Sequence, residues 1–192
     1  MSDSRGRGRL FVVSGPSGAG KGTVVSGVLR RRPELVLSIS ATTRPARRGE
    51  VDGINYRFLT ERDFVAGRDR GAFLETAEVY GNLYGTPRAP VDAALSAGRD
   101  VILELDIQGA LAVKRAAPEA ILIFIEPPSL EDLSSRLRGR GTENPETMRR
   151  RVEAAYDEVK AKGAYDHIIV NDRIEDAVDE VIRILETPHK RT

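Results

Sequence analysis

A glycine-rich segment at residues 14–23 is the feature that most constrains what this chain can fold into. It reads Ser-Gly-Pro-Ser-Gly-Ala-Gly-Lys-Gly-Thr and follows the apolar run at residues 10–13. The apolar run predicts a short buried strand, and the apolar residues after the segment recur with helical spacing. A strand, a glycine-rich loop and a helix in this order are typical of a phosphate-binding loop.

The residues of this loop suit a bound polyphosphate. Its glycines let the backbone wrap with N–H groups facing inward, and the next helix adds the positive end of its dipole. Lys21 stands where its ammonium reaches the β- and γ-phosphates. The alternative is an ordinary glycine turn between a strand and a helix.

One position departs from the general loop pattern. The motif has Ser or Thr directly after the lysine, but this chain has Gly22 there, followed by Thr23. The phosphate cradle is unaffected, because backbone groups build it. The hydroxyl expected on magnesium would then come from Thr23, either directly or through water.

The amino-acid composition narrows the classes of protein to which this chain can belong. The 192 residues suit one compact domain with small inserted lobes, and the 40% hydrophobic content is enough for a sizeable core. Basic and acidic residues nearly cancel, 30 against 29, so no nucleic-acid partner is expected. The absence of cysteine excludes disulfides and thiolate metal sites. No run is long enough to span a membrane, and we expect a cytoplasmic protein.

Three further apolar runs predict core strands, at residues 101–106, 120–125 and 167–171. They alternate with amphipathic helical patterns, which favours an α/β fold with a parallel core sheet covered by helices on both faces. In such sheets ligands bind beyond the carboxyl ends of the strands. Asp106 and Asn171 fall at strand ends, so we expect both to converge on the phosphate loop.

The chain resembles the guanylate kinases, in particular the bacterial type, from about residue 10 to about residue 185. The resemblance covers the loop and further motifs in family order, and Lys-Gly-Thr is an accepted loop variant in the family. Those motifs are Ser38-Ile-Ser-Ala-Thr-Thr-Arg-Pro-Ala-Arg-Arg-Gly-Glu50, Gly53-Ile-Asn-Tyr56, Tyr80-Gly-Asn-Leu-Tyr-Gly-Thr86, Leu105-Asp-Ile-Gln-Gly109, Arg136-Leu-Arg-Gly-Arg-Gly-Thr-Glu143 and Ile169-Val-Asn-Asp172.

The resemblance implies a P-loop nucleoside monophosphate kinase that transfers the γ-phosphoryl group of ATP to GMP, giving ADP and GDP. This places the chain in purine metabolism, with Mg²⁺ accompanying ATP. It also implies one domain over residues 8–192 after a flexible tail at 1–7. The domain would comprise a core at about 8–37, 99–128 and 164–188, a small GMP-binding insert at about 38–98 and a lid at about 129–163.

An arginine cluster and a glutamate carry the expected recognition of GMP. A forked guanidinium matches phosphate oxygens, and one ionised carboxylate can accept both the N1–H and the N2–H₂ donors of guanine. Separately, these residue types also fit a solvated basic loop and an exposed glutamate. By resemblance, the GMP-binding residues are Ser40, Arg44, Arg47, Tyr56, Glu75, Tyr84, Thr86 and Asp106.

The resemblance also assigns the donor site and the catalytic charges. Asp106 would lie near the acceptor nucleotide and the magnesium shell, contacting the metal through water. The ATP-binding residues would be Gly15, Pro16, Ser17, Gly18, Ala19, Gly20, Lys21, Gly22 and Thr23, with Asn171 near the adenine. The catalytic residues would be Lys21, Arg44, Arg136, Arg140 and Arg151. No histidine base is expected, because the GMP phosphate is already ionised.

Two other functions remain open on the sequence alone. A kinase for another nucleoside monophosphate would share the loop but would not need Glu75. A phosphopeptide-binding module with a guanylate-kinase-like fold would keep the arginine and tyrosine pocket and lose parts of the ATP site. The retention of Lys21 and Thr23 favours the enzyme. Monomer and homo-oligomer both remain open.

Overall fold

The structure of the protein is a computed structural model that describes residues 6–79, 81–129, 131–133, 135 and 159–188. Arg136, Arg140 and Arg151, the predicted lid arginines, lie outside the described residues. The chain divides into two compact units. The first combines Met1–Val12 with Glu34–Ile121, and the second combines Val13–Pro33 with Leu122–Thr192.

The described chain combines strands and helices, as the sequence pattern predicts. A short 3₁₀ turn covers Ala161–Ala164. No described helix has the length and apolar character needed to cross a bilayer. The elements are β1 (Leu10–Ser14), α1 (Lys21–Arg31), β2 (Val36–Leu37), β3 (Ala41–Thr42), β4 (Arg57–Phe58), α2 (Glu61–Asp69), β5 (Phe73–Val79), β6 (Asn82–Pro87), α3 (Arg88–Ser96), β7 (Val101–Glu104), α4 (Ile107–Ala116), β8 (Ile121–Glu126), β9 (His167–Val170) and α5 (Ile174–Glu186).

The first unit contains parts of two sheets. Strand β2 pairs in parallel with β7, which lies beside β1. A separate sheet has the order β4-β3-β6-β5 and is built around the antiparallel hairpin of β5 and β6. The chain passes from one sheet to the other at residues 38–40. The Ser38 N–H still donates to the Ile102 carbonyl, whereas the Ser40 carbonyl already accepts from the Arg57 N–H.

The second unit holds the other half of the parallel sheet. Strand β8 lies beside β1 and pairs in parallel with β9, so the predicted parallel core sheet is confirmed. Helix α1 packs against α5. The helices are close at Gly27, where an added Cβ would lie 2.6 Å from Cγ2 of Val178. A side chain at Gly27 would therefore force Val178 or the helix to shift.

Helix starts follow local capping rules. The Thr60 hydroxyl accepts from the Asp63 N–H at 3.1 Å at the start of α2, as expected from the sequence. At the start of α4, Oδ1 of Asp106 accepts from the Gly109 N–H at 2.7 Å. This second cap holds a predicted site residue in one orientation.

Candidate functional site

The predicted phosphate loop joins β1 to α1 within the second unit. Two of its glycines are required by close contacts as well as by positive φ angles. An added Cβ on Gly15 (φ 144°) would lie 2.1 Å from the carbonyl oxygen of Ile125. An added Cβ on Gly20 (φ 87°) would lie 2.5 Å from Nδ2 of Asn171. The loop backbone is therefore pressed against β8 and against the residue that follows β9.

Lys21 is the first residue of α1, and its side chain folds back over the loop. Its ammonium donates to the carbonyl of Gly15 at 2.6 Å and to that of Pro16 at 3.1 Å. The cation is thus held where the sequence places the phosphates. Carbonyl dipoles stabilise it less than phosphate oxygens would, since hydrogen bonds between two charged groups are the stronger ones.

The side chain of Asn171 holds the phosphate loop in place. Its side chain is 2% exposed, and Nδ2 donates to the carbonyl of Ala19 at 2.7 Å. Its backbone N–H donates to the carbonyl of Glu126 at 2.7 Å, which continues the pairing of β9 with β8. The structure therefore gives Asn171 a role as a brace of the phosphate loop. A contact with adenine stays a prediction.

In the first unit, Arg44 forms a paired contact with Glu50. Its Nη1 and Nη2 donate to Oε2 and Oε1 of Glu50 at 2.9 and 2.8 Å, and Nη1 also donates to the Pro45 carbonyl at 2.7 Å. The hydrogen bond from Arg44 lowers the pKa of Glu50, and the same bond raises the pKa of Arg44. Both groups are therefore charged at neutral pH.

Two aromatic rings lie against the Arg44 guanidinium. Its central carbon lies 5.3 Å from the ring centre of Tyr56 and 5.9 Å from that of Phe58. Tyr56 meets Tyr84 edge-on, with ring centres 6.1 Å apart, and a hydrogen bond with Tyr84 helps to raise the pKa of Arg44. Burial raises the pKa of Tyr56, so its hydroxyl remains a donor at neutral pH. We use the name phosphate clamp for the cluster of four residues Arg44, Tyr56, Phe58 and Tyr84.

Backbone geometry holds the clamp together. Thr42 in β3 lies opposite Tyr84 in β6, and its hydroxyl donates to the Leu83 carbonyl at 3.0 Å. The same hydroxyl accepts from the Arg44 N–H at 3.1 Å. The arginine and the tyrosine are therefore fixed by one pair of strands.

A buried carboxylate occupies the hairpin of β5 and β6. Glu75 is 7% exposed and lies opposite Thr86, whose hydroxyl donates to Oε1 at 2.8 Å. Burial raises the pKa of Glu75, as does the charge of Asp106, while the Thr86 hydrogen bond acts in the opposite direction. Such a group can accept hydrogen bonds from a ligand that brings its own donors.

Helix α4 packs against β5 and brings a second carboxylate towards the first. Gly109 lies between them. A Cβ added there would be 3.2 Å from Oδ1 of Asp106 and 3.3 Å from Oε2 of Glu75. Glu75, Thr86, Asp106 and Gly109 form a compact set of residues that we call the carboxylate pocket.

The remaining predicted residues take less specific positions. Ser40 is half-buried where the chain changes sheets, and the Arg47 side chain is exposed. Thr23 is exposed in the first turn of α1. Within the first unit the structure brings Arg44, Tyr56 and Tyr84 together, and it brings Glu75, Thr86 and Asp106 together.

The described residues include no group of three or more histidine, aspartate or glutamate side chains placed to hold a metal ion. Mg²⁺ bound to nucleotide phosphates keeps several waters and takes few protein ligands. Thr23, the residue predicted to contact it, is exposed just after the phosphate loop, and that contact stays a prediction.

Sequence reasoning missed four residues of these sites, one of which is Phe58 of the phosphate clamp. Glu50 was assigned no role, although it lies six positions from Arg44 in a loop of arginines. Gly109 was read only as part of a motif, and Thr42 was not singled out. A carboxylate inside an arginine-rich loop was a usable signal. The contacts of Gly109 and Thr42 depend on pairing between distant elements and had no local signal.

Comparison with known proteins agrees with this geometry. A family model described as guanylate kinase matches residues 7–188. The chain is 51% identical to a guanylate kinase of Clostridium perfringens, over 93% of this chain and 83% of that protein. It is 52% identical to a guanylate kinase of Thermus thermophilus, over 97% and 84% of the two chains.

A solved structure extends the agreement to the fold. The crystal structure of guanylate kinase from Anaplasma phagocytophilum matches with a TM-score of 0.78 and 34% identity, covering 94% of this chain and 85% of that one. Family model, sequence identity and fold all agree over nearly the whole chain. The chain therefore belongs to the guanylate kinase family.

Proposed function

We propose that this chain transfers the γ-phosphoryl group of ATP to GMP, forming ADP and GDP. The observation that carries the proposal is the buried Glu75 carboxylate, which is held by Thr86 in a pocket of polar groups. A family member that binds guanine needs a carboxylate of this kind. The phosphate loop supplies groups for the phosphates of ATP, and the phosphate clamp supplies groups for the phosphate of GMP.

Glu75 is proposed to select guanine. An ionised carboxylate has about four acceptor sites on two oxygens, and the Thr86 hydroxyl uses one on Oε1. The N1–H and N2–H₂ groups of guanine can donate to those that remain. Adenine presents an unprotonated N1 at the same edge, so its lone pair would face the carboxylate. A polar site of this kind rejects the wrong base strongly, because a mismatch leaves its groups unpaired.

The GMP phosphate is proposed to bind the clamp. Arg44 provides a planar fork that matches phosphate oxygens, and the hydroxyls of Tyr56 and Tyr84 add neutral donors. The exposed side chain of Arg47 is proposed to contact the same phosphate. Ser40 and Thr86 are proposed to contact the base through their hydroxyls.

ATP is proposed to bind the loop at residues 15–23. Lys21 would exchange the carbonyls of Gly15 and Pro16 for oxygens of the β- and γ-phosphates, a stronger partner for an ammonium. Asn171 keeps the loop in place while this exchange occurs. Magnesium supplies positive charge on the phosphates when bound, with Thr23 and Asp106 as its proposed contacts, directly or through water.

The transfer step needs alignment and charge stabilisation more than covalent chemistry from the protein. An oxygen of the GMP phosphate forms a bond to the γ-phosphorus, while the bond from that phosphorus to the β–γ bridging oxygen breaks. The electron pair of the broken bond stays on ADP. Lys21 and Arg44 stabilise the charge, and Arg136, Arg140 and Arg151 are proposed to join them from the lid.

The wider assignments are proposals of the same kind. We propose a GMP-binding insert at about 38–98, a lid at about 129–163 and a core formed by the rest of residues 8–188. We also propose Mg²⁺ as the cofactor, a cytoplasmic location and no nucleic-acid partner. The oligomeric state enters none of these steps.

A coupled ADP-release assay tests the function. The parent, Glu75→Ala and the control Glu78→Ala, an exposed glutamate of the same strand, are offered ATP, magnesium and one of GMP, AMP, CMP or UMP. We expect turnover by the parent with GMP alone, loss of that turnover in Glu75→Ala and no change in the control. Turnover with another nucleotide would contradict the assigned specificity. Binding of GMP without turnover would favour the binding-module alternative.

A further inference from the structure

Glu50 has no place in the reaction as described so far, yet its carboxylate makes several contacts at the phosphate clamp. Oε1 and Oε2 accept from the Arg44 guanidinium at 2.8 and 2.9 Å, and Oε2 also accepts from the backbone N–H of Arg47 at 2.7 Å. The side chains of Arg44 and Glu50 are only 12% and 19% exposed. One carboxylate therefore joins both arginines that are proposed to hold the GMP phosphate.

The contacts of Arg44 leave a defined edge of its guanidinium for a ligand. A guanidinium has five N–H donors, and three of them are used by the two Glu50 oxygens and the Pro45 carbonyl. The two others, on Nε and on the outer side of Nη2, lie along one edge of the plane. That edge presents two parallel donors, the arrangement that matches two phosphate oxygens. The hydrogen bond of Arg44 with Tyr84 falls to this edge, so a phosphate would bind there beside the Tyr84 hydroxyl.

The loop itself is closed by the same residue. The Glu50 N–H donates to the Arg47 carbonyl at 3.0 Å, while the Glu50 side chain accepts from the Arg47 N–H. Gly49 has a φ of 88°, and an added Cβ there would meet nothing within 4 Å. The reciprocal hydrogen bonds between Glu50 and Arg47 close this turn, and the same carboxylate binds the Arg44 guanidinium.

We propose that Glu50 is a positioning residue that presets Arg44 and Arg47 for the phosphate of GMP. This inference rests on the proposed function. The carboxylate binds the end of the Arg44 guanidinium and orients its free edge, so the arginine does not lose further rotamer freedom when the phosphate arrives. Preorganisation of this kind raises affinity by lowering the entropy cost of binding.

A carboxylate beside a phosphate site also repels the ligand, so the two effects must be compared. The loop carries three guanidinium charges, on Arg44, Arg47 and Arg48, against the one carboxylate of Glu50. The net charge of the loop stays positive. The carboxylate occupies the edge of the guanidinium formed by Nη1 and Nη2, whereas the proposed ligand edge is the adjacent one, formed by Nε and Nη2. We therefore expect positioning to outweigh repulsion.

The test compares the parent with Glu50→Gln, which keeps the size of the side chain but loses its charge and one acceptor oxygen. Dissociation constants are measured for GMP and for guanosine, which lacks the phosphate, and KM and kcat are measured with saturating ATP. Glu61→Gln is the matched control, because Glu61 is an exposed glutamate in the first turn of α2.

We expect Glu50→Gln to weaken GMP binding about tenfold to a hundredfold, the effect of losing hydrogen bonds to a charged group. Guanosine binding and kcat at saturating GMP stay within about threefold of the parent. Glu50→Asp keeps the charge on a shorter side chain, and its affinity for GMP should lie between those of the parent and Glu50→Gln. It also provides the measurement if Glu50→Gln does not fold.

Three results would overturn the inference. Equal or tighter GMP binding by Glu50→Gln would mean that positioning contributes nothing or that repulsion dominates. An equal loss of GMP and guanosine affinity would indicate a general structural role. A Glu50→Asp variant as weak as Glu50→Gln would show that the charge is not what positions the arginines. If the parent itself does not phosphorylate GMP, the proposed function fails instead, and the two failures are therefore distinguishable.

Discussion

We predict that one methyl group added at Gly109 weakens the binding of GMP while leaving the stability of the protein nearly unchanged. The glycine is in the first turn of α4, between the carboxylates of Glu75 and Asp106. A Cβ added there would lie 3.3 Å from Oε2 of Glu75, 3.2 Å from Oδ1 of Asp106 and 3.4 Å from Cβ of Leu105. These contacts are tight, so neighbouring atoms must shift by a few tenths of an ångström.

The stability effects of Gly109→Ala nearly cancel. Alanine in place of glycine favours the helix by about 1 kcal/mol, and burial of one methyl group adds roughly 0.8 kcal/mol. Overpacking costs about 1–3 kcal/mol, and the lower end applies because the crowded atoms belong to side chains. We expect the free energy of unfolding to remain within about 1 kcal/mol of the parent.

Binding of GMP should respond more strongly. The methyl group would displace Oε2 of Glu75 from the position in which it is proposed to accept the guanine donors. A displacement of about 1 Å can cost a hundredfold in a positioned site, so a smaller shift predicts a rise of about tenfold in KM for GMP. KM for ATP should rise much less, because the phosphate loop makes none of these contacts and Asp106 is proposed to reach magnesium only through water.

Steady-state kinetics with each substrate varied in turn, together with urea denaturation, measure these effects. Gly163→Ala is the matched control, since an added Cβ at Gly163 meets nothing within 4 Å. A Gly109→Ala enzyme with the KM for GMP of the parent would refute the reasoning. An equal rise in both KM values, or a loss of stability above about 3 kcal/mol, would show that the methyl group disturbs the fold rather than the pocket.

Three further predictions concern single contacts. Burial raises the pKa of Glu75 above its ordinary value, so the contribution of Glu75 to stability is present at low pH and is lost as the pH rises through the raised pKa. Glu75→Gln should therefore stabilise the protein by roughly 0.5–2 kcal/mol at neutral pH. The free energy of unfolding of this variant should not fall across that pH window, whereas that of the parent should. Asn171→Ala leaves the Ala19 carbonyl without its side-chain donor, which should cost about 1–3 kcal/mol in urea denaturation and raise KM for ATP but not for GMP. Thr60→Ala removes the cap that accepts from the Asp63 N–H and should lower stability by about 1 kcal/mol with unchanged kinetics, so any altered KM would contradict a purely structural role for that cap.

The elements that could be predicted from the sequence are those with strong local signals. The phosphate loop follows from its glycines and its flanking strand and helix, and the parallel strands follow from continuous apolar runs. The change of sheet after β2 could not be predicted, because the chain leaves β2 and enters β3 in another sheet within a few residues. Nothing local in Ser38 or Ser40 signals a change of hydrogen-bonding partner.

The site was less predictable because its contacts join residues far apart in sequence. The types of side chain around the proposed guanine site were assigned by resemblance, but the pairing of Thr86 with Glu75 depends on the hairpin register. The contact of Asn171 with adenine stays a prediction, and the bond of its buried amide to the Ala19 carbonyl joins residues too far apart in sequence to be foreseen. The carboxylate of Glu50 is visible in the arginine-rich loop, but its contacts with Arg44 and with the Arg47 backbone are not.

The hydrogen bond between Asn171 and Ala19 bears on when, during synthesis, the phosphate loop can take its shape. Synthesis proceeds from the amino end, so the glycine-rich segment leaves the ribosome early, while its brace follows 152 positions after Ala19. The strand whose Ile125 carbonyl packs against Gly15 is also made more than a hundred residues later. A nascent chain therefore carries the loop sequence long before it can hold the loop's shape. We therefore expect the loop to acquire its affinity for ATP only after Asn171 has been made.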